Sequence, residues 1–154
     1  VMIHIASGVN IFDYPLHTCI EGVAFSDDEQ IAVTGCSDGS VYLWDLASRK
    51  LVRKFYPGDH TTQYLADLEG LEERRDKTKK FFDLRHSVSI SPDGKRMISG
   101  SYEDKTMYLW ELSTARELAC FVHNSPLINV KFLPDNHHAV SACMDGSVYT
   151  WKLP

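Results

Sequence analysis

Tryptophan occurs three times, at Trp44, Trp110 and Trp151, and each time it closes the same kind of segment. The segments superpose: VAFSDDEQIAVTGCSDGSVYLWD over Val23 to Asp45, VSISPDGKRMISGSYEDKTMYLWE over Val88 to Glu111, and VKFLPDNHHAVSACMDGSVYTWK over Val130 to Lys152. Each runs from a short apolar alternation through an Asp-containing turn, a second apolar run, small residues and another Asp turn to its Trp. Such a repeat constrains the fold more tightly than composition does. Every unit must build the same substructure and bury its faces on its neighbours.

Within each unit the apolar period is two. Val23 and Phe25 alternate with Ala24, Ile31 and Val33 with Ala32, and Val41 and Leu43 with Tyr42 and Trp44. Alternation rich in Val, Ile, Tyr and Phe reads as strand. Ser-Pro-Asp-Gly at Ser91 to Gly94 is turn chemistry, since Pro presets φ and Gly accepts a positive φ. Asp38-Gly39 and Asp145-Gly146 are tight-turn signals between strands. Leu51 to Phe55 and Leu118 to Val122 add a fourth strand after the Trp, so each unit reads as a four-stranded antiparallel meander.

Trp110 and Trp151 are about 41 residues apart, whereas Trp44 and Trp110 are about 66 apart, so an insertion interrupts the second unit. These units resemble WD-repeat blades. That family is marked by Trp-Asp at the end of the third strand, seen at Trp44-Asp45 and relaxed to Trp110-Glu111 and Trp151-Lys152. It also commonly carries a structural His–Ser/Thr–Asp–Trp hydrogen-bond network. The matching residues are His17, Thr34, Asp38 and Trp44 in the first blade, and His123, Ser141, Asp145 and Trp151 in the third. In the second they are Ser99, Asp104 and Trp110, with His60 displaced by the insertion. No Gly-His dipeptide precedes any blade, and Ile3-His4 stand where an earlier Trp-Asp would be.

The resemblance implies an all-β fold of about three four-stranded antiparallel β-propeller blades, part of a larger propeller. Residues 1–18 are expected to end a preceding blade, 19–56 and 84–122 to form blades, and 123–154 to form a blade lacking its last strand. Residues 57–83 are the insertion, helical or disordered. Tyr64, Leu68, Leu71, Arg75 and Phe82 fall at helical spacing there, but Gly70 costs a helix interior about 1 kcal/mol.

The net charge of −5 argues against a basic nucleic-acid or anionic-membrane face as the principal surface. No apolar run approaches the ~18 residues of a spanning helix. No secretory leader, C-x-x-C pair or N-x-S/T site is visible, which favours an intracellular setting, cytoplasmic or nuclear. Gly35-Cys-Ser37-Asp-Gly39 matches G-x-S-x-G, but a strand follows it rather than the helix a nucleophile elbow requires. His137 and His138 are adjacent and lack metal-ligand spacing. No Walker A or dinucleotide glycine motif occurs. No cofactor, metal or catalytic residue is expected.

The expected function is therefore a non-catalytic protein–protein interaction scaffold within a larger chain or complex. In WD-repeat proteins partners frequently dock on the face formed by the loops before the first strand and between the second and third. Here Thr18, Ser37, Glu103, Asn124, Ser125 and Met144 map to that face. Two alternatives are a regulatory module of a multidomain nucleotide-binding ATPase and a structural component of a ribonucleoprotein-processing assembly.

Overall fold

In a computed structural model of the chain, residues 2–4, 9–12, 19–37, 39–55 and 86–154 are described. They form thirteen strands, and no helix occurs among them. Strands β1 (Met2–His4) and β2 (Val9–Phe12) make a two-stranded antiparallel sheet. Blade 1 comprises β3 (Ile20–Phe25), β4 (Ile31–Cys36), β5 (Val41–Asp45) and β6 (Lys50–Phe55), in that spatial order. Blade 2 comprises β7 (His86–Ile90), β8 (Arg96–Ser101), β9 (Thr106–Glu111) and β10 (Arg116–Val122). Blade 3 holds β11 (Leu127–Phe132), β12 (His138–Cys143) and β13 (Val148–Lys152). The expected insertion at 57–83, with His60, lies outside the described residues.

The turns show why the sequence folds into meanders. At the first turn of each blade Asp28, Asp93 and Asp135 each accept the backbone N–H two residues on, closing an Asx turn. Ser26 and Ser91 add hydroxyl bonds to the first two of these carboxylates at 2.6 Å. A residue with positive φ then reverses the chain: Glu29, Gly94 and Asn136. Gly39, Lys105 and Gly146 play that part between the second and third strands. Only Lys105 there is not glycine, which accounts for the weaker turn signal of the second unit.

Register repeats with the sequence. Thr34 faces Val23 and Tyr42, Ser99 faces Val88 and Tyr108, and Ser141 faces Val130 and Tyr149. Because side chains alternate, each blade has two faces of fixed identity. The front face carries the Trp and the first-strand Val. The back face carries Val33 and Leu43 in blade 1, and Ile98 and Leu109 in blade 2.

Front packs on back. The back of blade 1, with Val33, Val41, Leu43 and Phe55, joins one buried cluster with Val88, Ile90, Met97 and Trp110 of blade 2. The back of blade 2, with Ile98, Met107 and Leu109, joins Leu127, Val130, Phe132 and Ala139 of blade 3. The first strands β3, β7 and β11 lie against one another in succession. Gly100 sets the closest approach, for a Cβ there would stand 2.8 Å from Val130 Cγ1.

Gly100→Ala should therefore destabilise the chain by about 1–3 kcal/mol through overpacking of this seam. A urea unfolding midpoint unchanged from that of the unsubstituted chain would contradict the packing.

Candidate interaction face and the buried tryptophan network

The three Trp residues stand one residue before the ends of strands β5, β9 and β13, and each indole N–H points at a hydroxyl on the neighbouring strand. Trp44 Nε1 donates to Thr34 Oγ1 at 3.1 Å, Trp110 Nε1 to Ser99 Oγ at 2.9 Å, and Trp151 Nε1 to Ser141 Oγ at 2.8 Å. Thr34, Ser99 and Ser141 are all buried. A buried indole N–H without an acceptor costs about 1–3 kcal/mol, which is why a hydroxyl stands at this register position in every blade.

In blade 3 the chain of bonds continues. Ser141 Oγ lies 2.7 Å from His123 Nε2, and His123 Nδ1 lies 3.2 Å from the Lys105 carbonyl. A carbonyl only accepts, so Nδ1 carries the proton and Nε2 accepts from Ser141, whose oxygen in turn accepts from Trp151. His123 also packs edge-on against Trp151 and Tyr149. Burial holds its pKa below the ordinary histidine value.

The carboxylates go elsewhere. Asp145 is exposed and accepts from the N–H and hydroxyl of Ser147, which lower its pKa. Asp104 accepts from Tyr108 Oη at 2.8 Å and from Thr106 N at 3.3 Å. Burial, reinforced by that bond to Asp104, raises the Tyr108 pKa and keeps the hydroxyl neutral. The structure thus brings together His123, Ser141 and Trp151, and separately Ser99 with Trp110, while Asp104 and Asp145 serve their own turns. His17 and Asp38 lie outside the described residues.

The turns between second and third strands meet the loops that lead into the first strands. Ser37 N donates to the Cys19 carbonyl at 2.9 Å, and Met144 N to the Pro126 carbonyl at 2.9 Å. His123 N donates to the Lys105 carbonyl at 2.9 Å. Ser37, Glu103, Asn124, Ser125 and Met144 accordingly sit at one end of the blades. Glu103 and Asn124 are exposed, Ser37 and Ser125 are half-buried, and Met144 is 62% exposed. Thr18 lies outside the described residues.

Several residues at this end are not singled out by the sequence reading. Tyr102 Oη lies 3.0 Å from Met144 Sδ, joining the turns of blades 2 and 3. Its one sequence cue is that it is an aromatic residue inside a turn. Tyr108 could have been found from the Tyr-x-Trp spacing shared by Tyr42, Tyr108 and Tyr149. Among the described residues no group of His, Cys, Asp and Glu could hold a metal ion, and no helix is long and apolar enough to cross a membrane.

Strand order, repeated register and the Trp–hydroxyl bond together define a stack of propeller-type blades. The family model described as "WD domain, G-beta repeat" matches residues 8–45, 85–111 and 116–152, more than half of the chain. The chain belongs to that family. Among curated proteins it is similar to Protein groucho of Drosophila melanogaster, 29% identical over 112 residues, covering 73% of this chain and 12% of the relative. It is also similar to the U3 snoRNP-associated protein-like YAO of Arabidopsis thaliana, 24% identical over 102 residues, covering 66% of this chain and 19% of the relative. A third relative is the U3 snoRNP-associated protein-like EMB2271 of Arabidopsis thaliana, 24% identical over 139 residues, covering 86% and 27%. The chain thus spans under a third of the length of each.

Ser141→Ala should cost about 2–3 kcal/mol, because it strips both the Trp151 N–H and the His123 ring of a buried partner. Ser99→Ala, which strips only Trp110, should cost less. Equal losses on urea denaturation would refute the shared role of Ser141.

Stability should also fall with acid. His123 has a folded-state pKa depressed below 6.5, so below that pH the unfolded chain binds the proton first. The His123 contribution is complete above about pH 6.5 and is lost as pH drops towards the folded value. His123→Gln should flatten the slope of urea midpoint against pH between about 7.5 and 5.5; an unaltered slope would count against it.

Proposed function

We propose that the chain is a non-catalytic protein–protein interaction scaffold, and that a partner docks on the end formed by the turns bearing Ser37, Glu103 and Met144 and the loops bearing Thr18, Asn124 and Ser125. The Tyr102–Met144 contact is the observation that carries this reading. It ties turns from two blades into one exposed aromatic and thioether surface, rimmed by the acidic side chains of Glu103, Asp104 and Asp145. Aromatic and Met side chains are favoured anchors at interface centres, and charged residues at rims steer the encounter. The partner this chemistry fits is a protein segment with an apolar anchor and basic flanks.

The same proposal takes 19–56, 84–122 and 123–154 as blades, 57–83 as an insertion, and the working compartment as intracellular. The curated relatives named as U3 snoRNP-associated support a second reading, a structural component of a ribonucleoprotein assembly. The scaffold role then operates through protein contacts, consistent with the net charge of −5.

Met144→Ala and Glu103→Lys should each weaken the partner by several-fold, about 1 kcal/mol or more, while Arg116→Glu at the start of the outer strand β10 should not. Quantitative affinity purification with the three variants checks this. Retention of every interactor by both Met144→Ala and Glu103→Lys would refute the face. Recovery of U3 RNA with the unsubstituted chain but not with Met144→Ala would favour the second reading.

A further inference from the structure

A thioether sulfur reacts with peroxides as it stands, so access decides which methionine of a folded chain is oxidised. Among the described residues the methionines divide sharply. Met97 and Met107 are 0% exposed, whereas Met144 is 62% exposed. The turn between β12 and β13 keeps it so. Met144 N donates to the Pro126 carbonyl at 2.9 Å, and Gly146 N donates to the Cys143 carbonyl at 3.1 Å. Both bonds hold backbone and leave the side chain outside the buried clusters.

The two sides of this sulfur are not equivalent. Tyr102 Oη lies 3.0 Å from Sδ and donates there, because a thioether only accepts. The sulfur has two lone pairs. The phenol of blade 2 takes one and leaves the other open. These lone pairs are the two places where an oxygen atom can be added, and they give sulfoxides of opposite handedness.

We propose that Met144 is a reversible oxidation site for hydroperoxides, and that Tyr102 biases the product to one sulfoxide epimer. The open lone pair of Sδ attacks an oxygen of hydrogen peroxide. The S–O bond forms as the O–O bond breaks, and the proton of the transferred hydroxyl passes to the departing hydroxide to make water. Sulfur loses two electrons and the peroxide gains them. Tyr102 is a positioning residue, which selects the lone pair without joining the electron transfer. The product carries a polar S=O group in place of an apolar thioether. On the exposed patch between blades 2 and 3 it weakens an apolar anchor. That consequence rests on the docking reading above, whereas the oxidation site does not.

The test treats the folded 154-residue chain with hydrogen peroxide and follows each methionine by peptide mass spectrometry. Met144 should oxidise at least tenfold faster than Met97 and Met107, and in urea the three rates should converge. Peptides bearing the Met144 sulfoxide are then given separately to the two stereospecific methionine sulfoxide reductases. One enzyme should reduce at least threefold more of the folded-chain product than the other. The two should act equally on product formed in urea or on Tyr102→Phe, and the urea comparison serves should that variant not fold. Similar rates for the three methionines of the folded chain overturn the proposal, as does equal action of the reductases on its product. For the consequence, interactors are purified on the unsubstituted chain and on Met144→Leu, both treated with peroxide. Several-fold loss from the first alone is expected. Retention by the oxidised chain while Met144→Ala loses the interactors overturns the switch. Retention by Met144→Ala as well faults the docking face instead, and the oxidation site is then judged by the mass spectrometry.

Discussion

The blades depend on the need to bury an indole without orphaning its N–H. Trp is the largest side chain in each repeat, and in blades 2 and 3 it lies on the face that packs against the preceding blade. Its burial contributes much of the apolar contact, but the contact is favourable only while the ring nitrogen has an acceptor. A hydroxyl on the adjacent strand supplies one in all three blades. That bond fixes the register of the second and third strands. A slip by one residue would turn the hydroxyl to the other face and strand both groups.

The strands, their order and their two faces were legible in the sequence because period-two alternation and Asp turns are local properties. Gly39 and Gly146 announced their turns; Lys105 did so less plainly, since it holds the same positive φ without being glycine. The indole–hydroxyl pairing was legible only through resemblance, since no local rule says which hydroxyl a tryptophan will find. The destinations of the carboxylates were not legible. Asp104 and Asp145 have identical positions relative to their tryptophans, yet one bonds a tyrosine hydroxyl and the other the serine of its own turn. The Thr106 hydroxyl donates to the Asp104 backbone carbonyl, whereas the Ser147 hydroxyl donates to the Asp145 carboxylate. Tyr102 reaching Met144 was illegible for the same reason, since it joins residues 42 apart on different blades.

Strand alternation also explains how one scaffold separates stability from recognition. Buried strand side chains such as Leu43 and Leu109 are committed to seams between blades, whereas Glu103 and Met144 on the turns are exposed. Ser37, Glu103 and Met144 stand one residue before each turn aspartate or its equivalent, so they are held by the turn but left out of the core. Their identities differ between blades while the hydroxyl and Trp positions stay constant in kind. Loop surfaces carried on a rigid scaffold are where binding specificity is placed in many folds.

Both seams combine apolar burial with directed bonds to backbone groups. Among the described residues, blade 1 meets blade 2 through Val33, Val41, Leu43 and Phe55 against Val88, Ile90 and Met97, and Arg53 donates to the carbonyls of Leu112 and Ser113. Blade 2 meets blade 3 through oil and a line of directed bonds. Ser87 and Ser89 cap the open edge of β11, Asn136 accepts from Asp93 N at 3.0 Å, and Arg96 bonds the carbonyls of Asn136 and Pro154. Apolar burial is non-directional and tolerates sliding, whereas hydrogen bonds to backbone groups accept one alignment. Both seams therefore specify their neighbour by position as well as by shape, the first through Arg53 and the second through Ser87, Ser89, Asn136 and Arg96. Tyr102 and Met144 bridge the pair of blades that Ser87, Ser89, Asn136 and Arg96 align, so the patch they form rests on a junction held by directed bonds.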